Sequence, residues 1–190
     1  MKRKSIGKNY SMCVQPTFII GTYNEDNSPN FAPITWVSAT CDGEDYLLVV
    51  SMFGTKKTKQ NVVRTRSLSV NLASVDMLDL VDYFGSAEKN TNKPEYTYEK
   101  SEFVFAPVLD QSRWVYECEV VSSVKTGASE TFFCKIENIQ IDENIDIGDT
   151  FSVDLTKFDP VIYSGQYHSL GKHLGKIGDF WKIKQNNNSH

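Results

Sequence analysis

The stretch that decides the fold is residues 17–36, which read TFIIGTYNEDNSPNFAPITW. Its first part, 17–23, is rich in β-branched and aromatic residues and predicts a strand. Turn-forming residues fill 24–30, and 32–40 predicts a second strand. A strand, a polar turn and another strand at the start of the chain favour a protein built mainly from β-structure.

The pattern outside this stretch is also mainly β. Four further segments are rich in apolar or alternating residues and are predicted as strands: 46–52, 67–72, 114–121 and 131–142. The first of these is almost wholly apolar, so we expect that strand to be buried on both faces.

Helices are predicted at 55–64, with Thr55 as the N-cap, and at 75–84, whereas 86–100 is predicted to be mostly loop. Six or so strands with only two or three short helices predict a closed antiparallel barrel with helical decoration. Because no repeat or low-complexity linker divides the chain, we expect a single domain over residues 1–190.

Composition limits the class of protein. The chain has 190 residues, of which 40% are hydrophobic and 23% charged, as in an average globular domain. Its net charge of -4 argues against a nucleic-acid binder, which normally has a basic face. No apolar stretch reaches membrane-spanning length and the start resembles no signal peptide, so we expect a soluble, cytoplasmic protein with no membrane partner. The polar tail, 185–190, is expected to fray.

Neither the cysteines nor the histidines predict a metal site. The four cysteines are scattered without a CxxC pair, and the three histidines lack metal-ligand spacing with acids. The cysteines are therefore interpreted as free thiols, and no metal is predicted.

The start of the helix at 55–64 carries an unusual charge. A helix N-terminus has unpaired amide donors and partial positive charge, which favour acidic residues there. This one has Lys56, Lys57 and Lys59 and no acid. A bound phosphate would make the pattern favourable, with Thr55 and Thr58 hydroxyls as further donors. The alternative is a solvated basic helix end, and the residues alone leave both open.

A set of short motifs, in order along nearly the whole chain, resembles the flavin reductase-like family, particularly its flavoredoxin branch. The matching positions are Pro16, Gly21-Thr22, Ser28 to Trp36, Thr58, Asn61, Val70-Asn71, Asp82-Tyr83, Ser86, Lys93, Ala106-Pro107, Tyr116 to Val120, Asp159-Pro160, Tyr163 and Tyr167 to Gly171. Each motif is weak alone, but their common order is fairly specific. The resemblance implies a mainly β fold, the FMN-binding split β-barrel, a Greek-key antiparallel barrel with a few short helices.

The resemblance also implies a set of FMN-binding residues. They are Asn30, Ala32, Pro33, Ile34, Thr35, Trp36, Ser51, Met52, Phe53, Thr55, Lys57, Thr58, Asn61, Ser86 and Lys93. In the arrangement that the resemblance implies, the backbone of 32–35 faces the flavin ring, Trp36 lies beside the ring, and 51–53 lie beside the ribityl chain. Thr55, Lys57, Thr58 and Asn61 hold the phosphate, and Lys93 places positive charge near the ring. Taken singly, Trp36 could instead be core and Lys93 solvated.

Two functions follow from this resemblance. The first is an oxidoreductase that binds FMN and takes electrons from NADH or NADPH, as a homodimer with a possible redox partner protein or monooxygenase. The second is a flavin-binding electron carrier without a nicotinamide site. An unliganded interaction module remains a third reading, because a fold alone does not fix a function. No catalytic acid or base stands out in the sequence.

Overall fold

A computed structural model describes residues 2–5, 7–8, 14–86, 93–145, 147 and 153–175. The predicted fraying of 185–190 lies outside these residues, as does the middle of the predicted loop 86–100. Within the described ranges, no helix is long and apolar enough to cross a membrane.

Twelve strands and two α-helices make up the described part of the chain. The strands are β1 (Gln15–Pro16), β2 (Phe18–Tyr23), β3 (Pro29–Ile34), β4 (Val37–Cys41), β5 (Tyr46–Phe53), β6 (Ser67–Leu72), β7 (Tyr98–Lys100), β8 (Pro107–Leu109), β9 (Trp114–Thr126), β10 (Ser129–Ile141), β11 (Ile162–Tyr163) and β12 (Tyr167–His168). The helices are α1 (Lys57–Thr65) and α2 (Leu78–Gly85), the latter preceded by a 3₁₀ turn over Val75–Met77.

Seven antiparallel strands form the main sheet in the order β3-β2-β6-β9-β10-β5-β4. The strands at its two edges, β3 and β4, are consecutive in the chain and are joined by only two residues, Thr35 and Trp36. Laid flat, seven strands would hold the edges roughly 29 Å apart, at about 4.8 Å per step. The link from Ile34 to Val37 spans at most about 11 Å. The sheet must therefore roll up until its edges meet at this link.

The rolled sheet encloses one apolar core and packs a second against α2. The inner core gathers side chains from β2, β5, β6, β9 and β10, together with Val62 of α1. The outer core places Ile19 and Phe31 against Leu80 and Val81 of α2. Since β2 contributes to both cores, all six of its residues are buried. Both helices are thus held by strands at the β3 side of the sheet.

Most of the predicted elements are confirmed, and three details are corrected. Residues 32–40 do not form one strand, because the chain breaks at Thr35-Trp36 where it passes between the two edges. Thr55 is not the N-cap: Lys56 takes that place, without a side-chain cap. The mainly β antiparallel barrel is confirmed, but its edges are joined by the covalent link and not by a β3–β4 ladder among the described residues.

Burial and loop content differ in detail from the predictions. In β5 the side chains alternate, with Leu48, Val50 and Met52 in the inner core and Ser51 only half-buried, so the strand is not buried evenly on both faces. The described part of the predicted loop at 86–100 is irregular until β7. Strands β9 and β10 extend beyond their predicted ends into one long hairpin, because backbone pairing continues through the polar residues near the turn at Gly127.

Gly21 generates a test of the packing between β2 and its neighbours. A Cβ added here would overlap Ser69 Oγ and the carbonyl oxygen of Pro107, neither of which can move freely in this fold. We expect Gly21→Ala to lower the free energy of unfolding by about 1–3 kcal/mol, as overpacking does. Gly171→Ala is the matched control, since a Cβ at Gly171 would meet nothing within 4 Å. Urea denaturation of both variants measures the difference, and equal stabilities would contradict the packing described for Gly21.

Candidate functional site

Two chain segments that carry most of the predicted site residues are joined at both ends by hydrogen bonds. At one end, Asn30 Nδ2 donates to Thr58 Oγ1 at 2.9 Å. At the other, the Ser51 amide donates to the carbonyl oxygen of Trp36 at 2.9 Å. The segments 30–36 and 51–58 therefore form a closed loop of backbone and side chains, which we call the site frame. It brings together all the predicted residues between Asn30 and Thr58.

The start of α1 forms one end of the site frame. Lys56 is the N-cap and makes no side-chain cap, and the first turn contains no acidic residue. The first intrahelical bond runs from the Gln60 amide to Lys56 at 3.2 Å. The amides of 57–59 precede that bond and have no partner among the residues the structure describes. Amide donors without acceptors next to lysine side chains are features that favour an anion at a helix N-terminus.

The lysines at this helix end point to different neighbours. Lys59 Nζ donates to the carbonyl oxygen of Ala128 in the β9–β10 turn at 3.0 Å. Lys57 is exposed and close enough to Asp26 to contribute to the lowered pKa of that carboxyl, which is caused mainly by hydrogen bonds from Ser28. Lys57 is therefore the better placed of the two to neutralise a ligand at the helix end, because the ammonium of Lys59 is already occupied.

Thr58 and Asn61, both predicted to hold a phosphate, are buried and are bonded within the protein. Besides the bond between Asn30 and Thr58, Asn61 Nδ2 donates to Thr22 Oγ1 at 3.2 Å and to Asn24 Oδ1 at 2.9 Å. This network fastens α1 to the β2–β3 hairpin. The hydroxyl proton of Thr58 has no acceptor among the described residues, whereas both donors of Asn61 are already used.

Along the side of the frame formed by β5, successive side chains lie on opposite faces of the strand. Met52 is buried in the inner core, so only its backbone can face a ligand. Ser51 Oγ is 2.8 Å from Thr131 Oγ1, a cross-strand pair on the opposite face from Met52. Phe53 is 61% exposed, and Thr55 beyond it is also exposed. The predicted ribityl contacts at this strand are therefore limited to Ser51, Phe53 and the backbone.

The other side of the frame is the end of β3 and the link to β4. Ala32 and Ile34 lie opposite Ile20 and Phe18 and so share their inward face, whereas Pro33 faces α2. Ala32 to Thr35 are all half-buried, which leaves part of this backbone accessible. Trp36 is 39% exposed and is not the core residue that the alternative reading offered.

Ser86 and Lys93 lie outside the frame, Ser86 directly after α2 and Lys93 seven positions further along the chain. A Cβ added to Gly85 would lie 3.0 Å from Pro33 Cγ, so Ser86, the C-cap that follows, stands beside β3. Lys93 Nζ lies 4.9 Å from the centre of the Tyr96 ring, a cation–π contact, and Tyr96 packs against Phe31. Lys93 is therefore held on the α2 side of β3, with its charge beside an aromatic ring.

Some residues at the site were not among the predicted ligands. Thr22 and Asn24 complete the network with Asn61. Thr22 belongs to the matching Gly21-Thr22 motif, but an asparagine in a turn gives no signal of its own. Gln15 accepts from the Thr35 hydroxyl at 3.3 Å, a contact between segments 20 residues apart. Within the described ranges, no group of three or more potential ligands could hold a metal ion.

The comparisons with known proteins agree with this geometry. The family model described as "Flavin reductase like domain" matches residues 10–171, which is most of the chain. The chain belongs to the flavin reductase-like family. The match begins before β1 and ends after β12, so it includes every residue of the site frame.

The flavin reductase-like chain also resembles flavoredoxins in its fold. It is 22% identical to flavoredoxin from Methanosarcina acetivorans, with a TM-score of 0.83, covering 97% of this chain and 100% of that one. It is also 22% identical to flavoredoxin of Desulfovibrio vulgaris (Miyazaki F), with a TM-score of 0.81, covering 94% of this chain and 98% of that one. Among curated proteins it is 26% identical to the uncharacterized protein YdfE of Bacillus subtilis, covering 84% of this chain and 86% of that one. The split-barrel fold predicted from the sequence is confirmed.

Thr58 allows a test of how α1 is fastened. Thr58→Val keeps the shape of the side chain but removes the acceptor for Asn30, so we expect the free energy of unfolding to fall by about 0.5–1.5 kcal/mol. Thr58→Ser keeps the hydroxyl and should lose less. Chemical denaturation of the two variants measures the difference. If the Thr58→Val protein were as stable as the Thr58→Ser protein, the Asn30–Thr58 bond would not be holding the helix.

Proposed function

We propose that this chain is an FMN-binding flavoprotein that passes electrons through the flavin, with NADH or NADPH as the donor. The observation that carries the proposal is the start of α1. Among the described residues, the amides of 57–59 have no acceptor there, Lys57 is exposed, and the adjoining site frame exposes Trp36 and Phe53. Membership of the flavin reductase-like family supports a flavin as the ligand. FMN, rather than riboflavin, fits the helix end because it carries a phosphate.

The residues of the frame fit the parts of FMN in order. The amides of 57–59, with Thr55, Lys57 and the Thr58 hydroxyl, would hold the phosphate. Ser51 and Phe53 would lie along the ribityl chain. The half-buried backbone of 32–35 and the exposed indole of Trp36 would receive the ring, since an aromatic side chain stacks well on a flat heterocycle. We call these two regions the phosphate end and the ring end.

Bound FMN would supply the redox chemistry, accepting a hydride from a nicotinamide and releasing two electrons to an acceptor. The chain's own task is to position the ring and to set its electrostatic surroundings. Lys93, held against Tyr96 on the α2 side of β3, would supply positive charge to a ring bound at the ring end. Positive charge favours the reduced, anionic flavin, so Lys93 would raise its reduction potential.

A flavin-binding electron carrier is the second candidate, favoured by the close likeness in fold to two flavoredoxins. One experiment separates it from a reductase. NADH or NADPH is added without oxygen to the FMN-loaded protein, and the flavin absorbance is followed. Bleaching by either nucleotide supports the reductase; bleaching only by a chemical reductant supports the carrier. A protein that binds no flavin at all would refute both.

We also propose a homodimer, with a redox partner protein or a monooxygenase as acceptor and the cytoplasm as the location. The ring end exposes Trp36, and the β5 side of the frame exposes Phe53, so a second copy could cover apolar surface on the frame. Sedimentation of the FMN-loaded protein tests the first of these. A monomer that retains FMN would contradict a site completed by a second subunit.

Lys57 tests the phosphate end. Replacing it in Lys57→Met removes one charge that would assist a phosphate bond, so we expect FMN affinity to fall roughly tenfold and riboflavin affinity to stay unchanged. Lys59→Met is the matched control, because this lysine lies in the same helical turn but donates to Ala128. Fluorescence titration gives both dissociation constants. An equal loss for FMN and riboflavin would place the phosphate elsewhere.

A further inference from the structure

A small three-stranded sheet, in the order β1-β11-β12, stands beside the ring end and has no role in the function proposed so far. Its register places Gln15 opposite Tyr163, and Tyr163 opposite Tyr167. Directly opposed residues of antiparallel strands extend their side chains on the same face. These three side chains therefore share one face, and the two tyrosine rings are 5.6 Å apart.

This face is attached to the site at two points. The Thr35 hydroxyl donates to Gln15 Oε1 at 3.3 Å, which ties the face to the link between β3 and β4. The Tyr167 hydroxyl donates to Asp82 Oδ1 in α2 at 2.9 Å. Three residues further along α2, Gly85 lies against Pro33. The face is thus attached to Thr35, at the end of the half-buried backbone of 32–35, and to α2, which packs against Pro33 within that backbone.

The two tyrosines keep surface available for a ligand. Tyr167 is 39% exposed and Tyr163 is half-buried, although both rings are held by neighbours. The pKa of Tyr167 is raised to about 12, first by desolvation and then by its bond to Asp82. The phenol therefore keeps its proton at neutral pH, and the bond to Asp82 persists.

We propose that Gln15, Tyr163 and Tyr167 form the outer wall of the ring end, that the tyrosines contact the flat isoalloxazine ring, and that the Tyr167–Asp82 bond holds this wall in place. The inference rests on the proposed function and extends it. Phenol rings pack well against a flat heterocycle. Asp82 contacts no ligand in this scheme and acts as a positioning residue.

The first experiment measures how FMN and riboflavin bind to three variants: Tyr167→Phe, Asp82→Ala and the two combined. Each single variant should weaken both ligands by the same factor, roughly two- to tenfold, because the wall meets the ring that they share. The combined variant should lose no more than a single one, since both changes remove the same bond. Tyr46→Phe is the control, because Tyr46 is exposed at the far end of β5.

The second experiment reports contact directly. An excited flavin is quenched by a phenol that touches it but not by a phenyl ring, so Tyr163→Phe should lengthen the emission lifetime of bound FMN. Quenching rates add, so Trp36 nearby reduces this change without hiding it. Tyr46→Phe should leave the lifetime unchanged.

The outcomes distinguish a failure of the wall inference from a failure of the proposed function. If FMN binds more tightly than riboflavin, but affinities and lifetime stay unchanged in the wall variants, the wall is refuted and the proposed function stands. If the wild-type protein binds neither ligand, both are refuted. Additive losses in the combined variant would show that Asp82 does not act through Tyr167, and would overturn its assigned role.

Discussion

The structure depends on one constraint: two residues, Thr35 and Trp36, connect the opposite edges of a seven-stranded sheet. So short a link is compatible only with a rolled sheet, and the rolling brings β3 beside the end of β5. The bond between Ser51 and Trp36 fixes that meeting, and the bond between Asn30 and Thr58 fixes the start of α1 next to it. The site frame is therefore a direct consequence of how the barrel is closed.

Much of the fold could be predicted from local pattern. Strand β6 has its predicted bounds, and β2 and α2 are close to theirs. Both strands are β-rich runs that are buried along their whole length, and α2 has apolar residues at helical spacing. The break between β3 and β4 could not be predicted, since Thr35 and Trp36 are both good strand residues and only the change of sheet edge interrupts them. The N-cap was predicted one residue too early: Thr55 has the right chemistry, but it follows a turn at Gly54, with φ of 74°, and the helix is capped at Lys56.

The candidate site was predicted in outline, since segments 30–36 and 51–58 do meet. The sequence could not show which of these residues bond within the protein and which stay available to a ligand, because that depends on contacts between distant segments. Asn61 serves the network with Thr22 and Asn24, and Lys59 serves the β9–β10 turn, so fewer groups at the helix end remain available to a ligand. Within the described residues, the groups that remain are the amides of 57–59, the exposed Lys56 and Lys57, and the hydroxyl protons of Thr55 and Thr58. This smaller set is still matched to a phosphate, because it combines donors with charge.

The claim that FMN binds with its phosphate at the start of α1 is tested most directly by NMR of the ¹⁵N-labelled protein. The backbone amides of Lys57, Thr58 and Lys59 are followed as FMN or riboflavin is added. The account predicts large shifts of these three signals with FMN and small ones with riboflavin, while residues at the ring end respond to both. If FMN binds and these amides do not move, the phosphate lies elsewhere and the central claim is wrong.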